Sequence, residues 1–237
     1  YMIYGSHDFT AVTVSIIDIL HSAGLFLKPV EFELINDKIK LKFIQDKKTS
    51  VKITGLSGRK TGLDSEYYYL LDRGALESEE GHKIFLFHSP ISELTPLDLA
   101  HGESIRLSLL PKGFLYYGGG HLHRRIEHKH DDGKSLIVYP GPLFGSTFTD
   151  LEDTAQGEKR GFYIISYDSE KEITKADFRE VKIVDIIFKT IKVNQNTVKQ
   201  VEDKLNSVVE QMEDLTGKIV LIKTIGILSS GKRSDIN

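Results

Sequence analysis

The 237-residue sequence has no cysteine, which rules out disulfide staples and any metal centre built on thiolates. It also contains no apolar run near the roughly 18 residues that a membrane-spanning helix requires, so a membrane is not among the expected partners. Charge of one sign is in short supply too. Lys and Arg number 31 against 34 Asp and Glu, a net charge of -3, so a nucleic acid would have to be held by local patches and not by a global basic field. A secretory signal and an initiator methionine are both missing from the start, where Tyr1, Met2 and Ile3 already read as the end of a buried strand. The expectation is a fragment of a cytoplasmic protein, its upstream part lying outside the sequence.

What remains is ordinary for a globular protein: 40% hydrophobic and 27% charged residues, in a length that suits a larger domain plus a smaller one. The exception is Tyr116 to Arg125, Tyr-Tyr-Gly-Gly-Gly-His-Leu-His-Arg-Arg. Glycine lets backbone bend sharply or approach a ligand closely, and the two-residue spacing of His121 and His123 puts both imidazoles on one side of an extended segment. A pair like this often does no more than share a strand face. Two further histidines, however, sit where apolar runs stop: Ile84-Phe85-Leu86-Phe87 delivers His88, and Met2-Ile3-Tyr4 leads into Gly5-Ser6-His7-Asp8. Ligands of open α/β sheets gather beyond the carboxyl ends of the strands. Histidines at separate strand ends therefore predict one converging site, with neutral imidazoles as metal donors.

These residues resemble a known family. Gly5-Ser6-His7-Asp8 is similar to the Gly-Asn-His-Asp motif of calcineurin-like metallophosphoesterases, His88 to their lone metal histidine, and Gly120-His121-Leu122-His123 to their closing Gly-His-x-His motif. Further similarity over Lys83 to Pro96, Ile137 to Pro142, Gly161 to Tyr163 and Leu228 to Asn237 points, within that superfamily, to DNA double-strand-break repair nucleases of the Mre-eleven and SbcD type. The resemblance implies an α+β fold. An N-terminally truncated α/β/β/α sandwich of the metallophosphoesterase type would occupy 1-152, a linker 153-160, and a small, incomplete α/β capping domain 161-237.

The resemblance also implies two divalent metal ions, manganese by preference, with His88 and His121 on one, Ser6 where the usual Asn ligand stands, and His123 on the other. His7 and Asp8 would be the catalytic pair: His7 stabilises developing charge or protonates the leaving oxygen, and Asp8 orients it. Implied partners are DNA, a second copy joined through the helix Thr10 to Ala23 and upstream parts, and a coiled-coil ATPase of the Rad-fifty/SbcC type whose docking segment is absent here. The implied location is cytoplasmic, at the nucleoid. Two departures bear on activity. Ser6 offers a hydroxyl in place of an amide carbonyl, and the family's Asp-x-His and Gly-Asp-x-x-Asp motifs, which supply the bridging carboxylate, have no counterpart. The expectation is a metal-dependent DNA exonuclease/endonuclease as the intact protein and an inactive fragment with a partial, low-affinity metal site. Two other readings share every histidine: a phosphoesterase acting on small phosphoesters, and a non-catalytic scaffold that binds DNA ends or an ATPase.

Along the chain, apolar spacing predicts a helix over Thr10 to Ala23, capped by Asp8 or Thr10 and stopped by Gly24, with Val12, Ile16, Ile17, Ile19, Leu20 and Ala23 facing the core. Period-two alternation predicts an antiparallel meander over Glu31 to Ile53 with a turn at Asn36-Asp37. Gly55 to Gly62 reads as a mobile basic loop, Ser65 to Ser78 as a helix, and Phe114 to Tyr117 and Ser135 to Tyr139 as strands. Arg124, Arg125, Lys129 and Lys134 form the candidate DNA patch, while His101, His128 and His130 read as solvent-facing. Past a polar stretch from Thr149 to Gly161, strands over Gly161 to Tyr167, Glu180 to Lys192 and Lys218 to Ile227 accompany a helix over Thr197 to Leu215.

Overall fold

A computed structural model describes residues 1–8, 14–59, 64–100, 102–145 and 147–236. It is an α+β structure of mixed sheets and a few helices, divided into two compact units: Tyr1–Pro142 with Phe162–Arg179, and Leu143–Gly161 with Glu180–Asn237. In chain order the first unit contains α1 (Ile16–Ser22), β1 (Phe32–Ile35), β2 (Lys38–Leu41), β3 (Ile44–Gln45), β4 (Lys52–Leu56), α2 (Asp64–Leu70), α3 (Arg73–Ser78), β5 (Lys83–Phe87), β6 (Tyr116–Gly119), β7 (Ile126–Lys129) and β8 (Leu136–Tyr139). A six-stranded sheet runs in the order β3-β4-β5-β6-β8-β7. Its inner strands β4, β5, β6 and β8 are parallel, and the edge strands β3 and β7 run antiparallel to their neighbours.

The core explains why β5 lies inside the sheet. Phe85 and Phe87 project from one face and are fully buried with Phe114, Tyr117 and Tyr139. Their rings meet edge-on, Phe85 with Phe114 at 5.5 Å and Phe87 with Tyr139 at 5.4 Å. Each buried aromatic contributes roughly 1.5–3 kcal/mol by area, plus about 0.5–1.5 kcal/mol from ring geometry. Lys83 at the start of β5 is buried as well. Its Nζ donates to the carbonyls of Leu76 (2.8 Å) and Glu77 (3.2 Å) at the end of α3, where a cation complements the helix dipole. Burial pulls its pKa below the usual lysine value.

Several sequence expectations shift for identifiable reasons. Asn36 and Asp37 do turn β1 into β2, both with positive φ (50° and 58°). The expected meander is, however, two hairpins in different sheets, β1 with β2 and β3 with β4, because β4 pairs in parallel with β5 on its other side and so draws the second hairpin into the six-stranded sheet. Helix α1 begins at Ile16, not near Thr10. Ser15 caps it in a reciprocal box with Asp18, which satisfies two end donors at once; 9–13 lie outside the described residues. Of its expected core row, Ile17 is buried while Ile16 and Ile19 are 64% and 59% exposed. The predicted helix over Ser65 to Ser78 is two helices, since the Asp72 side chain accepts from Ala75 N (3.2 Å) and starts α3 afresh. Strand β6 runs on through Gly118 and Gly119. A Cβ on Gly119 would sit 2.7 Å from the Tyr139 ring and 2.8 Å from Phe87, so glycine there is what lets the aromatic core close.

The hairpin β9 (Gly161–Asp168) and β10 (Ile173–Glu180) follows, β10 being a strand that the sequence pattern did not reveal. Thr174 holds it to the first unit, through N to Lys134 O (3.0 Å) and Oγ1 to Leu115 O (2.9 Å). In the second unit, the stretch expected as a polar linker contains helix α4 (Phe148–Ala155), nucleated by a Thr147–Asp150 capping box. β11 (Asp185–Lys192), α5 (Val198–Glu210) and β12 (Lys218–Ile225) form a parallel βαβ unit in register from Asp185↔Lys218 to Lys192↔Ile225, and Val201 of α5 is fully buried. Among the described residues no helix is long and apolar enough to cross a membrane.

Candidate functional site

Strand register assembles the site. Leu56 pairs with Phe87 and Phe87 with Gly119, so β4, β5 and β6 end level with one another. The residues just beyond them, Ser57 and Gly58, His88, and Gly120 and His121, therefore leave the sheet side by side. The amino-terminal segment docks on the same edge. Tyr4 N donates to Ser57 Oγ (3.2 Å) and Gly58 N donates to Tyr4 O (2.8 Å), which delivers Gly5-Ser6-His7-Asp8 beside His88. That segment closes as a turn, with Asp8 N donating to Gly5 O (3.2 Å) and Gly5 N to Asp8 Oδ2 (2.6 Å). Behind it, Lys28 Nζ donates to Asp18 Oδ1 (2.5 Å) and to the Tyr4 hydroxyl (2.8 Å), tying the segment to α1. Lys28 and then Tyr4 hold the Asp18 carboxyl well below the usual carboxylate range.

Gly5, Ser6, His7, Asp8, His88, His121 and His123 together line one pocket of about 200 Å³. All six residues singled out in the sequence thus meet there. The His88 and His121 rings stand edge to face, 5.3 Å apart at 84°. Burial pushes the His88 pKa down to about 4, and the nearby His121 adds to the effect. His121 is lowered as well, first by desolvation and then by His123 and His7. These rings are neutral near pH 7, with lone pairs free to donate.

The His88 ring is packed on glycine from three separate segments. A Cβ on Gly5 would lie 2.9 Å from its Cε1, on Gly58 2.7 Å from Cδ2, and on Gly120 2.5 Å from Nδ1. Gly58 is the site residue that sequence reasoning missed. It falls within the stretch read as a mobile loop, yet Gly55 lies in β4, Gly58 is buried against His88, and 60–63 lie outside the described residues. His121 adopts a positive φ of 80°, a conformation costing about 1–3 kcal/mol in a non-glycine residue; such strain gathers at functional sites.

The donor chemistry suits a divalent cation, since neutral imidazoles serve manganese, iron and zinc alike. Among the described residues, however, no three His, Asp or Glu side chains approach one another closely enough to hold one ion. The pocket gathers donors without closing a coordination sphere.

The expected DNA patch is largely engaged elsewhere. Arg124 pairs with Asp98 at 2.6 Å, the Arg125 guanidinium lies 4.1 Å from the Phe178 ring centroid, and Lys134 pairs with Glu172. His128 and His130 are not solvent-facing. Both are half-buried: His128 lies in β7 opposite Ile137 of β8, and His130, just past β7, donates through N to Ser135 O (3.0 Å) and stacks on Tyr117 at 5.6 Å and 12°. His101 lies outside the described residues.

No family model matches the sequence. Named proteins do resemble it. It is 29% identical over 131 residues to the DNA double-strand break repair protein Mre11 of Saccharolobus solfataricus, covering 53% of this chain and 32% of that one. The proteins of the same name from Methanocaldococcus jannaschii (30% over 126 residues, 51% and 32%) and Methanococcus maripaludis (27% over 126 residues, 53% and 32%) match similarly. The chain spans about a third of the length of the curated relatives it matches. What these matches support is a distant relationship of the Mre11, metallophosphoesterase type.

Proposed function

We propose that this chain carries the histidine side of a two-metal phosphodiesterase centre and belongs to a DNA repair nuclease of the Mre11 type, the chain by itself cleaving little. The observation that supports the reading is the single pocket shared by His7, His88, His121 and His123 at the level ends of β4, β5 and β6. Divalent cations bound there would offset the charge of a phosphodiester and provide hydroxide at neutral pH. His88 and His121 would hold one cation, with the Ser6 hydroxyl as a weak neutral donor, and His123 the other. His7, on the exposed turn, would meet the leaving oxygen, while Asp8 fixes that turn through Gly5 N. On this reading the first unit belongs to a metallophosphoesterase sandwich, and the βαβ unit with α4 to a capping domain that engages the same DNA. The exposed face of α1 would meet a second copy, and a coiled-coil ATPase of the Rad50 type would be a further partner.

The lack of a three-donor cluster among the described residues favours a second reading, a non-catalytic scaffold that binds DNA ends. One experiment separates the two: titrating the chain with Mn²⁺ while following the histidine ring signals by NMR, with duplex DNA cleavage assayed in parallel. The nuclease reading expects selective broadening of His88, His121 and His123, abolished by His88→Ala, with little cleavage by this chain alone. Broadening spread evenly over all histidines would sink the metal site. Vigorous cleavage would instead show that the residues present suffice for two metals.

A further inference from the structure

We propose that Arg59 is the phosphate-binding cation of the pocket, held in place by the ring of Tyr67. The inference rests on reading the pocket as a phosphoester site and adds the residue that would grip the substrate's anionic oxygens.

A phosphodiester entering the pocket finds no lysine or arginine in its lining, and Asp8 brings a carboxylate. The cations near the His-x-His segment are engaged elsewhere, Arg124 with Asp98 and Arg125 over Phe178. Arg59 differs. Its guanidinium carbon lies 4.1 Å from the centroid of the Tyr67 ring on α2, and it makes no ion pair with any carboxylate among the described residues. A guanidinium lying over an aromatic face keeps its in-plane N–H donors available, and those donors match two oxygens of a phosphate at once. Being held by the ring, it also loses little freedom on binding.

Position completes the case. Gly58, the preceding residue, touches the pocket floor: a Cβ there would be 2.7 Å from His88 Cδ2 and 3.0 Å from Ser6 N. The Arg59 Cα is one peptide unit further, about 3.8 Å, so the pocket mouth lies within the length of an arginine side chain. A purely structural role, tethering the loop to α2, would account for the Tyr67 contact. It would not require that cation to follow directly on the residue packed against His88, nor to remain without a carboxylate partner among the described residues.

The test uses inorganic phosphate and the metal-free 237-residue chain. The Arg59 Nε–Hε cross-peak, assigned by its loss in Arg59→Lys, is followed by ¹H–¹⁵N NMR during the titration. We expect a saturable shift of that peak. Affinity should fall by about tenfold or more in Arg59→Ala, the loss expected when a hydrogen bond to a charged group is removed. Arg59→Lys should keep part of it, and Lys134→Ala all of it. Tyr67→Leu, which leaves the charge and removes its platform, should weaken binding by a smaller factor. An Arg59 peak that ignores phosphate, or an Arg59→Ala protein binding phosphate as the parent does, overturns the proposal. Failure of the nuclease reading looks different: phosphate still shifts the Arg59 peak, but Mn²⁺ broadens all histidine signals evenly and not those of His88, His121 and His123 selectively.

Discussion

Gly58→Ala adds a single methyl group, and the structure says where it goes. The new carbon would lie 2.7 Å from His88 Cδ2 and 3.0 Å from Ser6 N, about an ångström inside the usual 3.5–4.0 Å carbon contact. Neither side yields easily. The Gly58 backbone is buried and donates to Tyr4 O at 2.8 Å, so the loop cannot back away without losing the bond that seats the Gly5–Asp8 turn. The His88 ring cannot swing aside, because Gly120 and Gly5 already approach it as closely as glycine allows. Overpacking of this kind costs roughly 1–3 kcal/mol, and the reduced entropy of the unfolded chain returns about 0.4–1 kcal/mol. The net is a loss of about 1–2 kcal/mol, or a Tm lower by roughly 2–8 °C at this size. Gly74→Ala is the matched control. In α3 its Cβ would meet nothing nearer than Asp72 Oδ1 at 3.7 Å, so the helix should gain up to about 1 kcal/mol. Both variants are compared by thermal and urea unfolding, with the His88 ring signals recorded for each. If Gly58→Ala melts with or above the parent and leaves His88 unshifted, the glycine cradle is not tight and the account of the pocket floor is wrong.

Phe85→Ala should cost about 3–5 kcal/mol in urea unfolding, since Phe85 is fully buried against Phe114, Phe87 and Tyr117; a loss under 1 kcal/mol would mean that the core does not depend on β5. Lys83 predicts a pH effect of definite sign. Its pKa is lowered in the folded state by burial, so between that value and the ordinary lysine pKa the unfolded chain binds more protons, and stability should rise with pH across this alkaline window. Lys83→Met should flatten that rise, measured as the unfolding free energy from pH 8 to 10.5; an unchanged slope would assign it to other groups.

What was legible in the sequence followed from local rules. The run Ile84 to Phe87 announced β5, and Asn36-Asp37 the turn from β1 into β2. The helix expected to reach Leu215 stops early, at Glu210 with Gln211 as its cap, well short of Gly217. The βαβ pattern of the second unit was visible because strands and helix differ in apolar period. The misses were non-local. Edge strand β7 carries Glu127, His128 and Lys129, a polar string that becomes a strand only because β8 offers it a ladder. Helix α4 was hidden in acidic residues whose Thr147–Asp150 box starts it regardless of hydropathy.

The same distinction separates the part of the pocket that could be read from the part that could not. His7, His88, His121 and His123 bear their chemistry in their side chains, and the ends of β5 and β6 told where His88 and the His121–His123 pair would emerge. His7 follows no strand, since Tyr1 to Ile3, expected as the end of a buried one, are irregular, with Tyr1 and Met2 exposed. Gly58 bears its role in what it lacks, and that lack has meaning only once β4 and β5 are in register and the His88 ring arrives at its Cα. A glycine in a basic, glycine-rich segment looks like freedom when seen along the chain. Seen across the sheet it is a constraint, since Gly5, Gly58 and Gly120 each leave room for the same ring. The position of His88, and with it any chemistry the pocket performs, therefore depends as much on three absent side chains as on the imidazoles themselves.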